Sequence, residues 1–448
     1  MSQPADPDRA NRASALQALF NLRRDEVPPV LLAGMFFFCI LTALMLLRPA
    51  RDALGMESGI DGVRWLFIGT AVVTLAVNPM FGWLVSRLRR LQAIGATYGF
   101  FALSLAGFWG LLVFAPGAVG ERSGQVFYVW FSVFNLFVTM VFWALLADRF
   151  SSDQGKRFFA LISVGGTMGA IFGPWLAGRL ADPLGTPALL LVAAGFLMLG
   201  LTLAWLLVRI APDRPEAATA LAQQGGVDRE RIGGSAWAGF GAVFRSRYLS
   251  GIAGYVLLMT VVATFIYFTR LQMVAAVADD LDARTEIFAN IDMWTQLCVL
   301  VLQLTMTGKI IQRFGLGVAL AILPIATAIG FLGLAIYGSF VVLVLLEATN
   351  RAVQRGITRP AREALYTVVG REDKYKAKAF IDTFVYRAGD VVGAQTEGVL
   401  GRLGLAMGGL VSVVMPLALV WAALAVWLGR AQNRLGDEPR PDGEPPRR

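Results

Sequence analysis

Residues 347–382 read EATNRAVQRGITRPAREALYTVVGREDKYKAKAFID and follow directly on the apolar run 340–346. Charged residues recur here at intervals of four, so on an α-helix they share one face: Glu347, Arg351, Arg355, Arg359 and Glu363. An arginine near the centre of a bilayer costs roughly 2.5 to 3.5 kcal/mol on the mildest insertion scale, so such side chains turn towards a bundle interior or a wet cavity. The stretch therefore predicts a polar path inside a membrane protein.

The second half of this stretch has a counterpart near the N-terminus. Residues 48–54 (RPARDAL) and 359–365 (RPAREAL) differ only by Asp for Glu, and each follows a hydrophobic run. Both carry two arginines three residues apart, beside an acid and a proline that frees backbone carbonyls. One interpretation is a helix end whose arginines reach the lipid headgroups. Because two copies lie on different helices, we favour a clamp for an anion, made by Arg48, Arg51, Arg359 and Arg362.

Composition places the chain among polytopic membrane proteins, since 56% of its 448 residues are hydrophobic and only 16% are charged. The net charge of +9 belongs in cytoplasmic loops, so no nucleic acid partner is expected. The chain has no histidine, which excludes histidine-based catalysis and HExxH metal sites. Cys39 and Cys298 stand alone in apolar runs, without disulfide or zinc spacing. We therefore expect neither an enzyme, nor a cofactor, nor a metal site.

Hydrophobic segments predict an all-α fold with twelve transmembrane helices, each of about 20 residues. The first six spans are residues 30–47, 65–85, 91–114, 126–146, 158–180 and 188–210, and the second six are 249–268, 287–307, 316–336, 340–359, 379–403 and 407–428. The predicted organisation is a cytoplasmic leader (1–29), a six-helix half (30–210), a cytoplasmic linker (211–248), a second six-helix half (249–431) and a disordered tail (432–448).

Basic residues cluster after the even-numbered spans. Examples are Arg87, Arg90, Arg149, Arg157, Arg245, Arg313, Lys374, Lys376 and Lys378. Because lysine and arginine stay on the cytoplasmic side, this pattern places both termini in the cytoplasm, and an even number of spans agrees. The expected location is a bacterial inner membrane, with lipids as partners and a monomer as the expected state.

Two short motifs recur at nearly the same separation along the chain, which indicates a duplicated six-helix unit. The first motif begins with glycine and ends with arginine five residues later, at residues 82–87 and 308–313. The second is Gly-x-x-x-Gly-Ala, at residues 165–170 and 389–394. Glycines at this spacing let helix backbones approach closely. The arrangement resembles the major facilitator class, in which two halves rock around a central site. Ser86 and Gln312 stand where the loop signature of that class usually has aspartate.

Further polar residues inside the spans are candidates for the transport path. Asn135 and Trp143 lie on one face of span four, and Tyr366 or Tyr386 could stack on a base or sugar, although packing is the alternative for each. We assign coupling or gating to Asp52, Glu286, Glu363, Asp382, Arg387 and Asp390. Arg387 and Asp390 are three residues apart, so they could instead neutralise each other.

Residues 360–366, 374–382 and 387–389, with residues 47–54 and the pairs Phe142-Trp143 and Arg157-Phe158, resemble the ATP/ADP translocase family of plastids and obligate intracellular bacteria. The resemblance implies nucleotide transport by exchange. The family has a transport-critical lysine at the positions of Arg51 and Arg362. This chain therefore has the same positive charge at both positions, but a guanidinium group carries it instead of an ammonium group. An acid that the family carries early in span four has no counterpart near Phe131 or Ser132.

Three hypotheses follow. The chain could exchange nucleotides or related phosphorylated solutes, with Arg51 and Arg362 gripping phosphates from opposite halves. It could be a proton-coupled symporter or exporter of another organic anion, using Asp52, Glu363 or Asp382 as proton carrier. It could also be a membrane scaffold or lipid-handling protein whose arginines bind headgroups.

Overall fold

The structure is a computed structural model that describes residues 23, 25–87, 90–115, 117–150, 152–211, 236–305, 309–403 and 407–437. Most of the predicted leader and tail, and residues 212–235 of the predicted linker, lie outside these ranges. Within them the regular structure is entirely helical. This confirms the all-α prediction.

Six long helices form the first part of the chain. They are α1 (Val27–Met56), α2 (Gly59–Arg87), α3 (Arg90–Phe114), α4 (Ala118–Arg149), α5 (Ser152–Leu184) and α6 (Thr186–Ile210). Two of the turns between them depend on glycine. Gly117 before α4 and Gly185 before α6 have φ of 88° and 79°, a left-handed conformation that glycine adopts without strain.

The second part also consists mainly of long helices, but two of its helical segments are interrupted by a π-helical turn. The helices are α7 (Ala236–Arg245), α8 (Arg247–Ala275), α9 (Leu281–Thr305), α10 (Lys309–Tyr337), α11 (Phe340–Val353), α12 (Arg359–Leu365), α13 (Arg371–Phe380), α14 (Tyr386–Arg402) and α15 (Met407–Asp437). A π-helical turn, Gln354–Thr358, joins α11 to α12, and a second one, Ile381–Val385, joins α13 to α14.

Ten of the described helices are long and apolar enough to cross a membrane. The predicted spans 340–359 and 379–403 are not among them, because each is charged and is divided by a π-helical turn. These two segments, α11–α12 and α13–α14, bring the long helical segments to twelve. The polytopic membrane fold is therefore confirmed.

Some predicted boundaries differ from the helices. Disorder was expected from residue 432, but α15 continues to Asp437, and Arg434 in its last turn favours the negative end of the helix dipole. The predicted linker contains α7, and α1 begins inside the predicted leader. The tenth span does not end at Arg359, since Pro360 occupies the first turn of α12, where its missing N–H costs nothing.

Contacts divide the chain into two compact units. Unit 1 comprises residues 1–54, 76–229 and 281–289, and unit 2 comprises residues 55–75, 230–280 and 290–448. The predicted halves 30–210 and 249–431 divide the chain differently, and they stay a prediction. The core of unit 1 is rich in aromatic rings, among them Phe36 and Phe142, whose centroids are 5.1 Å apart.

The repeated Gly-x-x-x-Gly motif brings two helices into backbone contact in each unit. In unit 1, α5 lies against α1 along Gly165, Gly169 and Gly173, and a Cβ at Gly173 would come within 2.7 Å of the Thr42 carbonyl oxygen. In unit 2, α14 lies against α8, and a Cβ at Gly393 would meet the Thr264 Cβ at 2.8 Å. The close approach predicted for this motif is therefore confirmed in both copies.

The start of α1 is held to the start of α5 by an ion pair. Arg157 Nη2 donates to Glu26 Oε1 at 3.1 Å, and the Arg23 backbone N–H and the Gln154 side chain also donate to this carboxylate. Burial alone would raise the pKa of Glu26, but these donors outweigh it and lower that pKa. The carboxylate therefore stays ionised, and the contact persists at neutral pH.

We expect Gly169→Ala and Gly393→Ala to destabilise the protein by roughly 1 to 3 kcal/mol each, because the added methyl group overpacks a backbone contact. Thermal unfolding of the purified protein in detergent measures this. Gly107→Ala in α3 is the matched control, since a Cβ there meets no atom within 4 Å and alanine favours helix. Equal melting temperatures for the three variants would contradict the close packing.

Candidate functional site

A cluster of four charged side chains lies inside unit 2. Arg270 Nη1 of α8 lies 2.9 Å from Asp292 Oδ1 of α9 and 3.8 Å from Glu347 Oε2 of α11. Arg351 Nη2 lies 3.0 Å from the same Glu347 oxygen and 3.6 Å from Asp292 Oδ1. The side chains of Arg270 and Asp292 are fully buried. Two arginines and two carboxylates therefore cancel each other's charge in a largely buried place.

Sequence reasoning missed the centre of this cluster. Arg270 comes two residues after the predicted end of span seven, where an arginine usually extends to the membrane surface. Asn290 and Asp292 are two residues apart on α9, so they cannot share a helix face. The structure agrees with that geometry, since Asp292 is buried and Asn290 is exposed. Only the three-dimensional arrangement shows that Arg270 is the partner.

A second buried ion pair in unit 2 joins α2 to α14. Arg64 Nε and Nη2 both donate to Glu397 Oε2, at 3.0 and 2.8 Å. Gln272 donates to the other oxygen of Glu397, and the Arg64 guanidinium lies 5.5 Å from the centre of the Phe268 ring. Gly398 leaves the room that this arginine needs, because a Cβ there would come within 2.7 Å of Arg64. No sequence motif indicates this pair.

A cavity of about 240 Å³ lies beside the irregular segments of unit 2. It is lined by Met259, Gln354, Arg355, Thr358, Arg359, Arg362 and Tyr386. Arg362 Nη2 lies 3.2 Å from Asp382 Oδ1, and this carboxylate is about one-third exposed. The cavity thus combines three guanidinium groups with an amide, a hydroxyl and an aromatic ring.

The π-helical turn Gln354–Thr358 decides which charges reach the cavity. A π turn closes its hydrogen bonds over five residues instead of four, so side chains after it are rotated relative to those before it. Glu347 and Arg351, before the turn, belong to the buried cluster, whereas Arg355 and Arg359 are exposed and line the cavity. The single charged face predicted for residues 347–363 is therefore wrong, because that prediction assumed an unbroken α-helix.

The other predicted residues of unit 2 have defined surroundings. Lys378 Nζ lies 2.6 Å from Glu363 Oε2, so Glu363 is paired away from the cavity lining. Arg387 Nη1 donates to Asp390 Oδ2 at 3.3 Å, the mutual neutralisation that their spacing allows. Tyr366 is almost fully buried and does not line the cavity, whereas Tyr386 does.

In unit 1, Arg51 is held by an acid and two rings. Its Nε donates to Asp52 Oδ1 at 2.9 Å, and its guanidinium lies 4.7 Å from the ring centre of Tyr128 and 5.2 Å from that of Phe131. Aromatic faces attract an arginine and hold its orientation. That Arg51 and Arg362 grip one solute from opposite halves stays a prediction.

The remaining candidates of unit 1 differ in burial and surroundings. Trp143 is half-buried and packs edge-on against Phe37 and Phe159, with centroids 5.5 Å away in both cases. Asn135 is exposed, whereas Arg48 and Glu286 are half-buried. The packing alternative given for Trp143 describes its contacts well.

Removing one charged residue of the buried cluster should destabilise the protein more than removing both residues of an ion pair. We expect Arg270→Leu to destabilise the protein by roughly 3 to 5 kcal/mol, because it leaves excess negative charge buried. The double variant Arg270→Leu/Asp292→Leu should recover part of this loss. Thermal unfolding of the single and double variants tests the coupling, and strictly additive losses would show that the two residues act independently.

The chain is similar to known transport proteins. A model of the Major Facilitator Superfamily matches residues 30–353. The ADP,ATP carrier protein 1 of Chlamydia pneumoniae is 22% identical, over 94% of this chain and 95% of the relative. The solved nucleoside transporter NupG aligns with a TM-score of 0.58 at 12% identity, over 91% of this chain and 99% of that one. The POT family transporter PepTSo aligns with a TM-score of 0.61 at 13% identity, over 91% and 98%.

Proposed function

Because the chain belongs to the Major Facilitator Superfamily, we propose that this membrane transporter moves an anionic, phosphate-bearing solute by alternating access. The observation that carries the proposal is the cavity whose wall includes Arg355, Arg359 and Arg362. Guanidinium groups bind phosphate oxygens through two parallel hydrogen bonds and stay charged at any physiological pH. An anionic solute is therefore the class of solute that three guanidinium groups in one cavity wall favour.

The size of the cavity indicates which part of the solute it takes. Its volume of about 240 Å³ is below the range of about 300 to 1,000 Å³ that is common for whole-ligand pockets. We therefore assign it to the phosphate groups and their immediate neighbours. Tyr386 at its edge offers a ring on which a base or sugar could stack. The ADP,ATP carriers among the relatives make a nucleotide the first candidate solute.

Asp382 is proposed as the counterion that a solute phosphate replaces. Its carboxylate is about one-third exposed and pairs with Arg362, which lines the cavity. An incoming phosphate would compete with it for the same guanidinium. Arg362 then has an anionic partner both before and after binding. Avoiding an uncompensated charge in this way lowers the desolvation cost of each step.

A proton-coupled symporter or exporter of another organic anion is the second candidate. Its supporting observation is that Asp52, Glu363 and Asp382 each pair with a basic side chain, so protonation of any of them would release a cation. The inner membrane of a bacterium, with both termini in the cytoplasm, is the proposed location for either mechanism, because basic residues follow the even-numbered spans.

We expect uptake of labelled ATP into proteoliposomes that contain the purified protein and are loaded with ADP, and much less uptake into empty ones. Exchange needs a counter-solute inside, whereas a proton-coupled transporter would fill empty vesicles when a pH gradient is imposed. Uptake that follows the gradient and ignores ADP would favour the second candidate. No uptake of any nucleotide under either condition would refute the nucleotide proposal.

We expect Arg359→Ala and Arg362→Ala each to weaken binding roughly 10- to 100-fold, because each removes a charge-assisted hydrogen bond to the solute. Ligand-induced thermal stabilisation with ADP and ATP measures the affinity, since a ligand stabilises by mass action. Arg402→Ala is the control, as Arg402 is exposed on α14 and absent from the cavity lining.

Arg51→Ala tests the second part of the proposed clamp. If Arg51 also contacts the solute, this variant should lose affinity to a similar degree. It should still fold, with a lower melting temperature because the buried Asp52 loses this partner. Wild-type affinity in Arg51→Ala, together with a loss in Arg362→Ala, would restrict the anion site to the cavity of unit 2.

A further inference from the structure

The short helix α7 is fixed at the point where the chain enters α8. Only Ser246 separates the two helices, and its hydroxyl accepts a hydrogen bond from the Leu249 backbone N–H at 3.4 Å, which caps the start of α8. Ser250 of α8 donates to the Val243 carbonyl oxygen at 2.7 Å. Since α8 crosses the membrane, α7 lies at the level of one membrane surface.

One face of α7 is aromatic and largely exposed among the described residues. Val243 is buried, whereas Phe240 and Phe244 are 46% and 65% exposed. These two residues lie one turn apart with ring centroids separated by 4.4 Å, and Phe240 also contacts Phe380 of α13 at 5.8 Å. Adjacent phenylalanines in water are unfavourable, so an apolar partner is expected to cover them.

Basic residues lie at the end of this face. Arg245 and Arg247 are both exposed, directly after Phe244. Aromatic residues on one face, with arginines that reach upward to phosphates, are the pattern of a helix that lies in the surface of a bilayer. Arginines near a membrane surface are attracted to anionic lipids.

We propose that α7 lies in the plane of the membrane surface, with Phe240 and Phe244 among the acyl chains and Arg245 and Arg247 on the phosphates of anionic phospholipids. The partner is the lipid leaflet, because the helix adjoins the end of a membrane span and its charges match anionic headgroups. Through Phe380 this surface adjoins the π-helical turn Ile381–Val385, which carries Asp382. The end of α13 thus connects the proposed lipid contact of α7 with the turn that carries Asp382.

Depth measurement on the full chain tests the proposal. Cys39→Ala and Cys298→Ala give a cysteine-free background, in which Phe244→Cys carries a nitroxide label. In nanodiscs, the label at 244 should be more accessible to oxygen than to a water-soluble nickel chelate. The matched control is Glu372→Cys, which is exposed on α13 and should show the opposite preference.

Lipid composition supplies the second readout. Adding phosphatidylglycerol to phosphatidylcholine nanodiscs should deepen the label at 244, and Arg245→Gln/Arg247→Gln should abolish that shift. Nickel accessibility at 244 equal to that at 372 would overturn the proposal, because the face would then lie in water. Strong spin–spin broadening between labels at 244 would also overturn it, since a second copy of the chain would be the partner.

Discussion

An arginine inside a membrane protein is stable only when an acid, an aromatic face or a ligand shares its surroundings. Unit 2 depends on this constraint. Arg270 and Arg351 are neutralised by Asp292 and Glu347, and Arg64 is neutralised by Glu397. Each pair joins different helices or successive turns, so charge compensation also fixes how the helices pack. In the cavity, Arg362 pairs with Asp382, and the proposed solute would take the place of that carboxylate.

Much of the fold could be predicted, because its causes are local in the sequence. Long apolar runs specify spans, and the two Gly-x-x-x-Gly copies bring α5 onto α1 and α14 onto α8. The register of α11 and α12 could not be predicted in the same way. A π-helical turn adds one residue to a turn without any change of composition, so Arg355 and Arg359 were assigned the same helix face as Glu347.

The candidate site was predictable in its chemistry and only partly in its members. Arg359 and Arg362 were found from the repeated motif, and both line the cavity. The sequence predicts Arg355 only as one of several charged residues on a helix face. It does not predict Arg270, because an arginine at the end of an apolar run resembles one that reaches the headgroups. A pair such as Arg64 and Glu397, more than three hundred residues apart, has no signature in a single sequence.

The two π-helical turns have a mechanical consequence. Where the hydrogen-bond ladder changes from four-residue to five-residue closure, a helix is easier to bend than elsewhere. Both such places lie in the pair of helical segments that supply Arg362 and Asp382. If the proposed transport holds, closing around a small anion would require only that the ends of these two segments pivot, while an uninterrupted helix such as α8 stays rigid and acts as the frame.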